Sequence, residues 1–204
     1  MRQIDTGGLS FSELRRRDKY YVDKSLLIKD ILESNDSGVY LFTRPRRFGK
    51  TTNLTMLNAF FNMKYRDNIW FDDLEISNHH QFDVYKNAFP VINLNLKSSK
   101  SPDYSNFLEA MQSVVRNALK EHLPLLEYDG LFPDERKLFH DLFNSEASRE
   151  QLKFSVHTIS GALERLYGQK VIVLIDEYDR AVADSFGTDS HRPMMDFLGE
   201  FMNA

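Results

Sequence analysis

Alternating β-forming runs and helical stripes predict an α/β domain with a mainly parallel sheet. Three observations carry this. Val39-Tyr40-Leu41-Phe42 and Val171-Ile172-Val173-Leu174-Ile175 are short apolar runs of strand type. Phe89 to Leu96 alternates apolar and polar residues after Val91, with Pro90 near its start, where a missing N–H is tolerated. Between these runs lie segments with apolar residues at helical spacing.

Taken in order, Asp23 or Ser25 is placed to cap a helix through Leu26, Leu27, Ile31 and Leu32, and Asn35 to Gly38 is a turn. After the Val39–Phe42 run, Leu54, Leu57 and Phe61 share one helical stripe, and Met56, Phe60 and Met63 an adjoining one. Such a wide face suits a helix packed on a sheet. Tyr65 to Asn87 reads as a loop with short helical turns. Phe107, Met111, Val114, Val115 and Ala118 predict a helix, and two more cover Glu135 to Phe143 and Gln151 to Tyr167, with Gly168 as a stop. Met194 to Phe201 is helical again. The helices between the second and third runs exceed one crossover, so a helical insertion over about residues 98–168 is expected within a single domain spanning 1–204.

Composition narrows the function. The 204 residues are 42% hydrophobic and 27% charged, ordinary for a globular chain. A net charge of -4 argues against a general nucleic-acid coat. The absence of cysteine excludes disulfides, thiolate zinc sites and cysteine nucleophiles. No run of about 18 apolar residues occurs, so neither a membrane span nor a signal peptide is expected and the cytoplasm is the default compartment.

The chemistry concentrates at two places. Arg44-Pro45-Arg46-Arg47-Phe48-Gly49-Lys50-Thr51 fits a phosphate loop in which Arg44 holds the position of the first glycine. Gly49 removes a side chain from the concave surface, backbone N–H groups through Thr52 converge on phosphate, and the helix that follows adds its positive end. Lys50 is the residue for the β- and γ-phosphates, and the Thr51 hydroxyl is a magnesium ligand. Pro45 restricts the local φ, so either the loop takes a modified path or Arg44 turns outward toward a phosphate or an acidic partner. The bland reading is a solvated basic turn before an ordinary helix. The second place is Asp176-Glu177, where the most apolar run stops abruptly. Asp176 would hold magnesium and Glu177 would polarise the attacking water; alternatively, a strand simply emerges into solvent there.

Both stretches, the second read as Leu174-Ile175-Asp176-Glu177-Tyr178-Asp179, resemble the Walker A and Walker B motifs of the AAA-ATPase-like family of bacterial proteins. Tyr20-Tyr21-Val22-Asp23-Lys24-Ser25 is similar to that family's amino-terminal motif. The resemblance covers about Thr6 to Ala183. It implies a P-loop NTPase three-layer fold, ATP and Mg2+ as cofactors, and phosphate, metal and water-activating roles for Lys50, Thr51, Asp176 and Glu177. It implies an arginine at the first glycine position, and Tyr21 to Lys24 near the adenine, against helix capping by Asp23 and packing by Tyr20 and Tyr21. Family members usually continue further, so the carboxyl end is expected to be incomplete, without a sensor strand, and a protein partner or second subunit is expected to complete the site. Nucleic-acid binding has no motif behind it.

The expected function is therefore ATP binding, with hydrolysis where the site is complete. A non-hydrolysing, nucleotide-stabilised interaction module, or an inactive fragment that binds nothing, is the rival, and a phosphotransferase lacks a visible acceptor site. His79-His80 is expected in an exposed loop rather than at a metal, Trp70 in the core, and Arg15-Arg16-Arg17 on a solvated helix face.

Overall fold

The structure is a computed structural model that describes residues 3–4, 8–34, 38–43, 48–99 and 101–203. Its contacts gather into two compact units, Met1–Val91 and Ile92–Ala204.

The first unit is built on aromatic packing. Helix α1 (Phe11–Arg16) opens with a capping box in which the Ser10 hydroxyl accepts the Glu13 N–H and the Glu13 carboxylate accepts the Ser10 N–H. Helix α2 spans Leu26–Glu33 and buries Ile28. Helix α3 (Lys50–Phe61) buries Met56, Leu57, Ala59, Phe60 and Phe61, the wide face that the spacing predicts. Phe11 stacks on Phe71 with centroids 4.8 Å apart, and Phe60 meets Phe71 edge-on at 5.3 Å. All three rings are fully buried, each stabilising the unit by roughly 2 kcal/mol relative to exposure. The Phe11 N–H also donates to Thr55 Oγ1 at 2.9 Å, tying α1 to α3. Residues 63–87 are short turns, as expected, with α4 (Phe82–Tyr85) the last of them.

The second unit holds a two-stranded parallel sheet of β1 (Val91–Asn95) and β2 (Ile172–Asp176). Its helices are α5 (Tyr104–Lys120), α6 (Pro133–Asn144), α7 (Arg149–Tyr167), α8 (Arg180–Ala183) and α9 (His191–Asn203). Side chains cap the long ones. Asp103 accepts the Ser105 and Asn106 N–H groups ahead of α5, and Ser148 forms a capping box with Gln151 ahead of α7. Gly168 ends α7 at φ +65°, the left-handed stop its sequence predicts. Ile92, Leu94, Phe107, Met111, Leu142, Ile159, Leu163 and Phe197 belong to one continuous core.

Three expectations are corrected. Residues 39–42 form no strand; Val39 is 95% exposed and Leu41 65%, because no ladder partner among the described residues pairs with them. The β2 strand has β1 as its one neighbour among the described residues, so only Leu174 is buried and Val173 stays exposed. Trp70 is half-buried rather than core, with the Arg16 guanidinium 5.9 Å from its ring centroid. The fold is thus α/β, as expected, with a small parallel sheet of two strands among the described residues.

Candidate functional site

In the first unit the site residues surround the start of α3. Gly49 is the N-cap, at φ +79° and ψ +22°, a left-handed conformation that glycine adopts without steric cost. Lys50, Thr51 and Thr52 then form the first turn of the helix. No acidic side chain stands in that turn to offset the positive helix end. Lys50 and Thr52 are half-exposed; Thr51 and Phe48 are exposed. Arg44, Pro45, Arg46 and Arg47 lie outside the described residues, as do the turn residues 35–37.

The amino-terminal motif is fixed beside this turn. Asp23 accepts the Ser25 N–H and the Glu75 N–H, each at 2.8 Å. Burial raises the Asp23 pKa, but hydrogen bonds from Glu75 and Ser25 outweigh it and hold the carboxyl below its ordinary value. Ser25 is fully buried, and its hydroxyl accepts the Ile76 N–H at 3.2 Å instead of capping α2. Tyr21 packs edge-on against Phe11 at 5.1 Å, and its hydroxyl donates to Met56 Sδ at 3.0 Å. Burial pushes that phenol up to about 12. Tyr21 is therefore a packing residue, whereas Tyr20 is exposed.

The resemblance implies an adenine-side place for Tyr21 to Lys24, whereas an approach to the phosphate-loop glycine was not foretold for Lys24. Its Nζ lies 3.1 Å from where a Cβ on Gly49 would stand. The motif thus reaches the phosphate-loop glycine through its lysine. Nothing in the local spacing signals this, since 25 positions separate the two residues.

In the second unit, Asp176 ends β2 and Glu177 follows at φ +60°, a left-handed conformation rare for a residue with a side chain. The Glu177 N–H donates to Asp176 Oδ1 at 3.0 Å, which fixes the turn. Both residues are half-buried.

Elsewhere, His79 departs from the exposed-loop expectation. Its side chain is 6% exposed, and its Nε2 sits 3.3 Å from the Glu33 carboxylate. Arg15 pairs with Asp73, and Arg17 with Glu13, so the basic cluster is partly neutralised. His140, Asp141 and Glu146 bring possible ligand atoms within 4.8 Å of one another. Lys137 and Gln151 already bond Asp141, however, and hold its carboxyl at about 2.

A family model described as Predicted AAA-ATPase matches residues 6–204. The chain belongs to the AAA-ATPase-like family. Membership supports a general ATPase-like function, with nucleotide and metal use as general properties of AAA-ATPase-like proteins. The matched span contains the Gly49–Thr52 turn, the Lys24 motif and the Asp176–Glu177 turn of this AAA-ATPase-like chain. No curated protein and no solved structure matches it. Among the described residues, no helix is long and apolar enough to cross a membrane.

Proposed function

We propose that this chain binds ATP with Mg2+ through a P-loop running from Arg44 to Thr52. The observation that carries the reading is the left-handed Gly49 at the head of a 12-residue helix that begins Lys50-Thr51-Thr52. A Cβ at Gly49 would stand 3.1 Å from Lys24 Nζ, and a residue without one suits a loop that wraps phosphate with its backbone N–H groups.

Each residue then has a chemical task. The first-turn N–H groups of α3 donate to phosphate oxygens, and the Lys50 ammonium balances the charge of the β- and γ-phosphates. The Thr51 hydroxyl is a hard oxygen donor of the kind magnesium takes, and in its own unit the Asp176 carboxylate is a donor of the same kind. Magnesium held by such donors would supply positive charge to offset that of the phosphates. The Glu177 carboxylate is the hydrogen-bond acceptor suited to polarising a water, the water-activating role its motif implies. Lys50 and the loop amides stabilise the charge of the transition state.

Titration with ATP, with and without Mg2+, tests binding; release of inorganic phosphate by wild type and Glu177→Gln tests turnover. Slower release by the variant at equal ATP affinity supports the water-orienting role, and equal rates remove Glu177 from it.

A second reading is favoured by the exposed apolar residues Val39, Leu41 and Phe48, which flank the loop in sequence. Such a segment suits a nucleotide-stabilised interaction module, in which ATP binds and no phosphate is released. Tight ATP binding without phosphate release above background would select it.

A further inference from the structure

We infer that Lys24 is a second phosphate-binding cation, which holds the polyphosphate of the nucleotide beside Gly49. The inference rests on the P-loop reading and adds to it a residue 26 positions before Lys50.

The first support is position. Lys24 Nζ stands 3.1 Å from the point where a Gly49 Cβ would be, so the ammonium occupies the space that the glycine leaves open. Any other residue at 49 would crowd it. The second support is charge. Among the described residues no carboxylate pairs with Lys24 Nζ or with Lys50 Nζ, and the first turn of α3 contains no acid. Asp23, the nearest acid in sequence, directs its carboxylate to the Ser25 and Glu75 N–H groups instead. An ammonium beside a positive helix end is unfavourable by itself and becomes favourable when an anion lies between them.

The third support is the anchoring of the backbone that carries Lys24. Its own N–H donates to the Tyr21 hydroxyl at 3.3 Å, and Asp23 and Ser25 on either side bond to Glu75 and Ile76. The stem is thus held while the long side chain stays exposed and free to meet a ligand. A compact, mobile ammonium suits a cluster of phosphate oxygens, which need charge more than a fixed planar fork.

The test is calorimetric titration of inorganic tripolyphosphate and of ATP into wild type, Lys24→Met, Lys24→Arg and Lys50→Ala, with thermal unfolding of each unliganded protein. Lys24→Met is expected to weaken both ligands by about 10- to 100-fold, the range for a lost hydrogen bond to a charged group. Lys24→Arg is expected to recover most of that loss, and the unliganded unfolding midpoints of both Lys24 variants to match wild type. Wild-type affinity in Lys24→Met, with binding lost in Lys50→Ala, would overturn the inference and leave the P-loop reading standing. Unchanged affinity in both Lys24→Met and Lys50→Ala would overturn both. A lowered unliganded midpoint in Lys24→Met and Lys24→Arg alike, without selective loss of tripolyphosphate binding, would assign Lys24 a structural role instead.

Discussion

Asp23 Oδ2 accepts the Glu75 N–H at 2.8 Å, joining the segment that carries Lys24 to a turn 52 residues later. Sequence-distant pieces of the first unit are thereby held in register around the start of α3. Asp23→Ala is expected to destabilise the protein by about 1 kcal/mol, the value for charge-assisted bonds discounted for a largely solvated carboxylate. The sign of its pH dependence follows from its lowered pKa. The contribution is present above the unfolded-state value of about 3.9 and disappears as pH falls through the folded-state value below it. Urea unfolding of wild type and variant at neutral and acid pH checks this; a stability difference that does not shrink at acid pH would contradict it.

Gly49→Ala tests the left-handed N-cap. A residue with a Cβ at φ +79° costs about 1–2 kcal/mol, and the methyl would also press on Lys24 Nζ. The ammonium terminates a flexible chain and can move aside, so the protein should fold with a lower unfolding midpoint and weaker ATP binding. Unaltered stability would show that the turn tolerates another backbone conformation.

Asn87 closes the opposite end of α3. Its side-chain amide donates to the Ala59, Phe60 and Asn62 carbonyls at 2.9, 3.1 and 2.9 Å, from a residue at φ +55° that is 6% exposed. Asn87→Ala leaves those acceptors without this donor, at about 3 kcal/mol. Asn87→Asp should cost more, since it sets a carboxylate against the same carbonyls. Equilibrium unfolding ranks the two, and the opposite order would contradict the donor assignment.

In the second unit, Arg165 Nη2 lies 2.6 Å from both oxygens of Glu135, a carboxylate that is 6% exposed and also accepts the Phe132 N–H at 2.8 Å. Arg165→Ala strands that charge and should destabilise by about 2 kcal/mol, less than for a fully buried pair because Arg165 is partly solvated. Combining it with Glu135→Ala should cost less than the sum of the single changes, and strict additivity in a double-mutant cycle would show that the pair contributes nothing.

Much of this architecture was legible in the residues. Helices α3, α5 and α7 follow from apolar residues at helical spacing, because that pattern describes both a local conformation and the face it buries. The Phe89–Leu96 and Val171–Ile175 runs became β1 and β2 within a residue or two at each end. Val39–Phe42 has the same composition yet no ladder, since strand propensity specifies a willing segment and not its partner. Trp70 and His79 departed from their expected environments, and each meets a residue remote in sequence, Arg16 and Glu33 respectively, that no local pattern announces. The Gly49-Lys50-Thr51 turn was readable as a motif, while the approach of Lys24 to Gly49 depends on the Asp23–Glu75 and Ser25–Ile76 bonds. Those are long-range pairings with no local spacing to announce them.

The central claim is that the turn at the head of α3 holds phosphate. The most direct measurement is the affinity of Mg-ATP for wild type and Lys50→Ala, by calorimetry under identical salt. A loss of about tenfold or more in the variant, at an unchanged unfolding midpoint without nucleotide, is the predicted result. Equal affinities would contradict the phosphate-loop assignment.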